Sequence, residues 1–492
     1  MQNRLGWSNF GLVMNDDLKQ LLQRYSGCEA GQATRLKTAG SNRIYYRMAC
    51  DGDTIIGVEG TNPDENAAFI GIGRHLRSQK LPVPEILAVS DSGMSYLLQD
   101  LGDDPLYELM GSARESGHYE EEHVRLLEKT MSLLPDLQFK GGSGLDFKVC
   151  FPCESFDRRS ILWDLNYFKY NFLKLTGVEF HEARLEDDFE AFVTLLLRDA
   201  PYDTFMYRDF QARNVMILDE EPWFIDFQGG RHGPIEYDVA SFLWQASAAY
   251  PDELKTHLID VYLKSLERCR NVSREVFLKN LLHFAMFRTL QVLGAYGFRG
   301  YFERKLYFIK SIPAAISNLR TLLDAGVGAD EYPYLTEVLR RIVDLPQFAS
   351  ADKGDDGRLT VRIISFSYRY GIPDDNSGNG GGFVFDCRGL HNPGMYERFR
   401  QFTGADASVI EFLEEEGEVQ SYLDNVYRLV DMSVGKYLKR GFTNLMVAFG
   451  CTGGRHRSLY CANHLAEHLK EKFAGGIRIL LEHREQNISE EL

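Results

Sequence analysis

The sequence predicts an α+β chain in two lobes, β-rich and then helical, followed by a smaller α/β domain. Three observations predict it. The first hundred residues carry two β-rich runs, "RIYYRMAC" and "DTIIGVEG", joined by the hairpin signal "DGD". From about 101 to 345 the long segments have helical character, interrupted near 203–236 by short β-like runs. After the polar, aperiodic "DLPQFASADKGDDG", the run "RLTVRIISFSYRYG" opens a stretch in which strand and helix alternate. The expected boundaries are an N-lobe over 1–100, a C-lobe over 101–345, a linker over 346–358 and the last domain over 359–492.

The elements follow in order. "NPDENAAFIGIGRHLRSQ" begins as a helix begins, at Pro-Asp, and continues with Ala68, Ile72 and Leu76 at helical spacing. "LPVPEILAVSDSGMSYLLQDLG" reads as strand, turn and strand, ending at Gln99 and Asp100. In the last domain "NLMVAFG" runs as a strand into "GCTGGRHRS". A helix follows whose Leu459, Ala462, Ala466, Leu469 and Phe473 share one apolar face. The Gly-rich "DDNSGNGGG" (374–382) reads as a loose loop.

The chain of 492 residues has room for two or three cores. Its net charge of -16 disfavours nucleic acid and anionic membrane as partners. No apolar run reaches the ~18 residues of a membrane span, and the first residues lack the apolar core of a secretory signal. The eight cysteines are scattered, which points to a reduced, cytoplasmic chain. Cys150 and Cys153 form one C-x-x-C without a second pair, so a chance pair of buried thiols is expected rather than zinc.

"MYRDFQARNVMIL" (206–218) contains R-D-x-x-x-x-N, and "WFIDFQGGRHGPIEYDVASFL" places a second Asp shortly after. Phosphoryl transfer explains why these residue types recur together. Asp209 is the expected catalytic base, and Asn214 and Asp226 the expected Mg2+ ligands. Asp238 precedes an apolar helical run and reads as an architectural N-cap. Over 1 to about 345 the chain resembles the aminoglycoside phosphotransferase-like kinases, and "RDFQARN" with "IDFQ" is similar to the AmgK-type cell-wall sugar kinases. The resemblance implies a bilobal protein-kinase-like fold with ATP between the lobes. It implies a small polyhydroxylated acceptor, N-acetylmuramate or N-acetylglucosamine phosphorylated at the anomeric hydroxyl.

The sequence departs from that pattern in two places. Tyr207 stands where the family has His. Glu59 stands near the place of the strand lysine that grips ATP phosphates. Arg43 and Arg47 are the alternative cations, with Ser41 in the covering loop and Glu65 available as a partner. "LLQDLG" (97–102) is the expected hinge, with Gln99 and Leu101 presenting backbone groups to adenine. The acceptor pocket is expected from "ILWDLNYFKYNF", with Asp164, Tyr167 and Lys169 as alternatives for the inward position.

"GCTGGRHRS" supports two readings. Its glycines let backbone N–H groups turn toward an anion at a helix start, and its arginines suit a phosphate. It also has the C-x5-R form of a phosphatase, with Cys451 as nucleophile and Asp386 as the acid. With "SFSYRYGIP", "FDCRGLHNP" and "FTGADASVIEFL" it resembles the RapZ C-terminal domain of RNase adapter proteins over about 362–475. That resemblance implies a hexosamine-phosphate site from Arg388, Thr452, Gly453, Arg455, His456, Arg457 and Ser458. Gly394 occupies a family His position, with His391 as stand-in, and the acidic C-terminal residues argue against RNA.

The functional expectation is an ATP- and Mg2+-dependent sugar kinase joined to a sugar-phosphate-binding domain that regulates it, with a homo-oligomer through the last domain as a further expectation. The rivals are a non-catalytic hexosamine-phosphate sensor, which Glu59 favours, a kinase–phosphatase pair, and an enzyme acting on aminoglycoside-like molecules.

Overall fold

The computed structural model describes residues 14–27, 33–36, 43–50, 53–198, 203–303, 305–345, 348, 358–373, 375, 382–415 and 417–492. The expected Gly-rich loop and linker fall almost wholly outside these residues. The chain divides into two compact units, the first within 1–349 and the second mostly 350–492.

In the first unit five strands form a sheet in the order β1-β2-β3-β5-β4. They are β1 (Ala33–Arg35), β2 (Ile44–Cys50), β3 (Asp53–Glu59), β4 (Ile86–Val89) and β5 (Ser95–Gln99). β2 and β3 pair antiparallel across the expected "DGD" turn, from Ile44 opposite Glu59 to Cys50 opposite Asp53. The pleat sends alternate side chains to opposite faces. Tyr46, Met48 and Ile55 pack with Leu18 of the helix Asp16–Ser26, whereas Ile56 and Val58 join the main core. The helix Pro63–Ser78 covers that second face. Asn62 caps it by accepting from the N–H groups of Asp64 and Glu65, Pro63 presets its first turn, and Ala68, Phe69, Ile72 and Leu76 are buried.

The helical region follows. A capping box of Asp157 and Ser160 starts the helix Arg158–Asn171. The helix Arg274–Gly297 is buried on nearly all sides, and among its apolar residues lie His283, Arg288 and Gln291. Two small hairpin-like sheets interrupt the helices: β6 (Thr204–Met206) with β9 (Arg231–Gly233), and β7 (Val215–Leu218) with β8 (Glu221–Phe224).

The second unit is a mixed sheet in the order β11-β12-β10-β13-β14. Its strands are β10 (Leu359–Ser367), β11 (Gly382–Asp386), β12 (Asn444–Cys451), β13 (Ile477–His483) and β14 (Ile488–Glu491), and only β14 runs antiparallel. Parallel strands need crossovers, and helices Glu418–Arg440 and Arg457–Phe473 lie on two of them. The register sets Ser367 beside Cys451 and Asp386 beside Gly450, so three strands deliver their carboxyl ends to one edge. Among the described residues no helix is long and apolar enough to cross a membrane.

Candidate functional site

The loop between β6 and β7 carries Asp209, and the turn after β8 carries Asp226. One buried carboxylate shapes the first loop. Asp238 was expected to cap its helix; instead Pro234 precedes the helix Ile235–Leu243 and Asp238 lies inside its first turn. Its Oδ2 accepts the Tyr207 N–H at 2.9 Å and its Oδ1 the Arg208 N–H at 2.8 Å, so it caps the loop rather than the helix. Gln138 adds a third donor at 3.3 Å. Burial pushes this carboxyl up, against the pull of its donors, to about 7. Arg208 takes the left-handed conformation, φ 74°, which turns the chain so that Asp209 follows it into the cleft.

Tyr207 then ties the two acidic turns together. It is buried, and its hydroxyl donates to the carbonyl of Ile225, the residue before Asp226. Asn214 makes a second tie. Its side-chain amide donates to the Asp209 carbonyl at 2.8 Å and to Asp226 Oδ2 at 3.4 Å, and its carbonyl accepts the Ile225 N–H at 3.0 Å. Asp226 is also left-handed, φ 69°, and its Oδ1 accepts from Gln228 at 2.7 Å. Burial first, and the charge of Asp209 second, raise the Asp226 carboxyl above the usual carboxylate range. Two carboxylates and an amide thus converge where one positive ion would relieve them. The carboxylate oxygens and the side-chain carbonyl oxygen of Asn214 are hard donors, which fits a hard divalent cation.

Arg43 and Arg47 point to the same face of β2 but stand four residues apart, about 13 Å along a strand. Only Arg43 sits at the acidic end. It is 3% exposed, pairs with Glu65 Oε1 at 3.1 Å and lies over the Phe69 ring. Arg47 corrects the expectation of a second phosphate cation. Its guanidinium is clamped by Asp100 at 2.6 Å, Asp103 at 2.6 Å and the Gly102 carbonyl at 2.9 Å, which fixes the hinge. Glu59 faces away from the cleft, and accepts the Asn15 N–H at 2.6 Å. At the hinge, Gln99 spends its N–H on the Glu85 carbonyl at 2.9 Å, so its backbone donor is taken. Leu101 is buried, and no hydrogen bond of its backbone occurs among the described residues. Ser41 lies outside the described residues.

Around Asp209 the structure adds residues that the motif did not name. Arg288 donates to Asp209 Oδ1 at 3.3 Å and also to Gln291, whose amide donates to Asp164 at 2.6 Å. Asp164 is therefore the inward member of its helix. Lys169 is paired with Glu182 and Glu186, and Tyr167 is exposed beside Phe298. A lone Arg and Gln three residues apart in the apolar "FAMFRTLQVL" were the signal for this network.

In the second unit, the loop after β12 splits the expected ligands into two layers. Thr452, Gly453, Arg455 and Arg388 are exposed, whereas Arg457 is 4% and Ser458 0% exposed. Arg457 Nη1 donates to the carbonyls of Arg388 and Leu390 at 2.9 and 2.8 Å, and its Nε is buried without a partner. Ser458 lies 3.2 Å from Cys451 Sγ. These two residues brace the loop from below. Gly454 shows why the loop needs glycine: φ is 65°, and a Cβ there would lie 2.3 Å from Glu485 Cγ and 2.9 Å from the Ser367 nitrogen. His456 is half-buried against the Phe399 carbonyl at 3.1 Å, and burial lowers its pKa. His391 hydrogen-bonds Tyr396 at 3.2 Å, while Gly394 lies beside the His456 ring. Sequence reading missed Tyr368, over which Arg388 stacks at 4.0 Å, and Gln486, which donates to the Gly454 carbonyl at 3.3 Å.

The acid expected for phosphatase chemistry, Asp386, is paired with Arg388. Burial works to raise the Cys451 thiol, but bonds from Ser458 and the Gly453 amide, with Arg457 nearby, leave it below the usual thiol range. Asp386 is chelated by Arg388 at 2.6–3.0 Å, which holds its carboxyl below the usual range. Cys451 is also only 3% exposed.

Replacing Tyr207 by Phe deletes the bond to Ile225 and takes a donor from a half-buried carbonyl. We expect urea denaturation to show a loss of about 1–3 kcal/mol in the first unit.

Residues 33–272 match the phosphotransferase enzyme family, and residues 359–487 match the RapZ C-terminal domain. A nucleotide-binding protein of Psychrobacter sp. (strain PRwf-1) is 33% identical over 37% of this chain and 55% of its own length. Another, of Dechloromonas aromatica (strain RCB), is 38% identical over 36% of this chain and 58% of its own. The chain thus spans about half the length of the curated relatives it matches. Among solved structures, choline kinase of Cryptosporidium parvum Iowa II superimposes with a TM-score of 0.43 and 12% identity over 63% of this chain and 93% of that one. Spectinomycin phosphotransferase APH(9)-Ia, in complex with ADP and spectinomycin, gives 0.41 and 12% over 68% and 100%. By these matches residues 33–272 are similar to the phosphotransferase enzyme family and residues 359–487 to the RapZ C-terminal domain.

Proposed function

We propose that the first unit transfers a phosphoryl group from ATP to a hydroxyl of a hexosamine-type sugar and that the second unit binds a sugar phosphate. The observation that carries the first part is the convergence of Asp209, Asn214 and Asp226, with the Arg43–Glu65 pair on the same side. Arg43 holds the nucleotide phosphates, oriented by Glu65, in the role the strand lysine usually fills. Leu101 presents its free backbone groups to the base. Asn214 and Asp226 would hold Mg2+, which supplies charge neutralisation at the phosphates. Asp209, held by Arg288, accepts the proton of the acceptor hydroxyl.

The non-catalytic alternative rested on Glu59, and that carboxylate is turned to the other face of the sheet. In the second unit the reading rests on the exposed hydroxyl and guanidinium groups of Thr452, Arg455 and Arg388 at one sheet edge, beside the exposed Gly453. Binding there of the first unit's product, or a related hexosamine phosphate, would let the second unit regulate transfer in the same chain.

Two measurements check these roles. Asp209→Asn should lower the rate of transfer by about 10²- to 10⁴-fold while ATP still binds; transfer at the wild-type rate would sink the assignment. Calorimetric titration of the full chain with glucosamine 6-phosphate should show binding that Arg388→Gln weakens by about ten-fold or more, and an unchanged affinity would remove Arg388 from the site.

A further inference from the structure

We propose that Cys153 is a peroxide-reactive thiol that closes a reversible disulfide with Cys150, and that this oxidation loosens the turn after Asp226. The two residues are the C-x-x-C pair to which the site above gives no role. The fold lays them beside that site. His232 of β9 donates its N–H to the Glu154 carbonyl at 2.9 Å, and its own carbonyl accepts the Phe156 N–H at 2.7 Å. The segment carrying the cysteines is thus fastened along β9. That strand pairs in turn with β6, where Arg231 stands opposite Met206, three residues before Asp209.

Arg231 links the thiol to the turn. It is 3% exposed, and among the described residues no carboxylate oxygen lies within 4 Å of it. Its Nη1 donates to Cys153 Sγ at 2.7 Å, and its Nε and Nη2 both donate to the Gly229 carbonyl at 3.1 Å. A buried cation without a counter-ion is costly. Of the two hydrogen-bond partners, only the sulfur can carry a negative charge. Burial and the nearby Arg208 lower the Arg231 pKa; among the groups that raise it, Cys153 acts first, ahead of Tyr237 and Asp164. The sulfur also faces the Ser155 carbonyl at 3.4 Å, which accepts the S–H of the thiol form. A guanidinium in contact with a sulfur favours the thiolate, the form that attacks a peroxide.

The two cysteines differ in a way that orders the steps. Cys153 is partly exposed, so peroxide reaches it. Cys150 is 8% exposed, and burial pushes its thiol up to about 12, so it waits protonated. Arg231 and then Cys153 are the charges that act most on Cys150, which makes the two sulfurs neighbours. The Cys153 sulfur attacks one oxygen of hydrogen peroxide, the O–O bond breaks, and the leaving hydroxide takes the thiol proton as water. The Cys150 sulfur then attacks Cys153, the S–O bond of the sulfenic acid breaks, and hydroxide leaves with the Cys150 proton as a second water. One peroxide is reduced and two thiols are oxidised; a dithiol reductant restores them by exchange. A disulfide sulfur cannot serve as a counter-ion. Arg231 then loses the partner that holds it against Gly229, and the turn between Asp226 and β9 loses its brace.

The test treats the reduced full chain with hydrogen peroxide, quenches with iodoacetamide and maps peptides by mass. Trypsin releases both cysteines in one peptide, 149–158, and a glutamate-specific protease releases the exposed Cys269 in 268–275. Peptide 149–158 should lose two hydrogens about ten-fold faster than Cys269 is oxidised, and should regain both thiols with dithiothreitol. Cys150→Ser should stop at a sulfenic acid on Cys153, trapped by dimedone. Arg231→Gln should slow the oxidation about ten-fold; if that variant does not fold, Cys153→Ser, which should leave Cys150 unreacted, carries the test. Amide hydrogen exchange over 226–233 should be faster in the oxidised chain and return to its first rate on reduction. Both thiols surviving in 149–158 while Cys269 is oxidised, or oxidation of Cys150 in Cys153→Ser, overturns the inference. So does an unchanged rate in folded Arg231→Gln, or exchange over 226–233 that the disulfide does not alter. None of these readouts needs transfer to a sugar, so failure of the kinase reading leaves the outcome intact.

Discussion

The geometry of the first unit depends on the carboxylate of Asp238. A left-handed, non-glycine residue such as Arg208 costs on the order of 1–3 kcal/mol and persists only where its surroundings hold it. Asp238 does so by accepting two consecutive N–H groups from the loop, in a site too buried for water to compete. With the loop fixed, Tyr207 and Asn214 join it to the turn at Asp226, itself left-handed. Two strained turns are thus locked to each other through one buried tyrosine and one amide. The acids they carry are held close enough to raise the pKa of one of them.

The broad plan was legible in the sequence because it rests on local signals. The "DGD" hairpin, the Asn-Pro-Asp helix start and the strand–glycine–helix pattern at 444–473 depend on neighbours in the chain. The Asp209, Asn214 and Asp226 constellation was legible because its members are close in sequence. The failures are non-local. Glu59 looked damaging until the pleat showed which face it takes, and Arg43 and Arg47 looked equivalent until strand rise separated them. Arg288 and Gln291 reach the site from a helix some 80 residues away, so spacing says nothing of them. Asp238 was read as architectural, but the object it holds is the loop of Asp209 rather than its own helix.

The second unit shows the same separation between motif and geometry. "GCTGGRHRS" contains every letter of a C-x5-R phosphatase, yet Arg457 is drawn into the fold by two carbonyls and Ser458 by Cys451. The exposed layer keeps the hydroxyl of Thr452 and the guanidinium groups of Arg455 and Arg388. The Arg388–Asp386 chelate holds Asp386 and leaves Arg388 stacked on Tyr368 at the rim.

The central claim is phosphoryl transfer from ATP to a sugar hydroxyl by the first unit. Phosphorus NMR of the full chain with ATP, Mg2+ and a mixture of free hexoses, hexosamines and sugar acids tests it most directly. The account predicts a new phosphomonoester resonance that grows as the γ-phosphate signal of ATP falls, coupled to a sugar proton and absent when the sugars are omitted. Loss of the γ-phosphate to inorganic phosphate alone, or no loss at all, would contradict it.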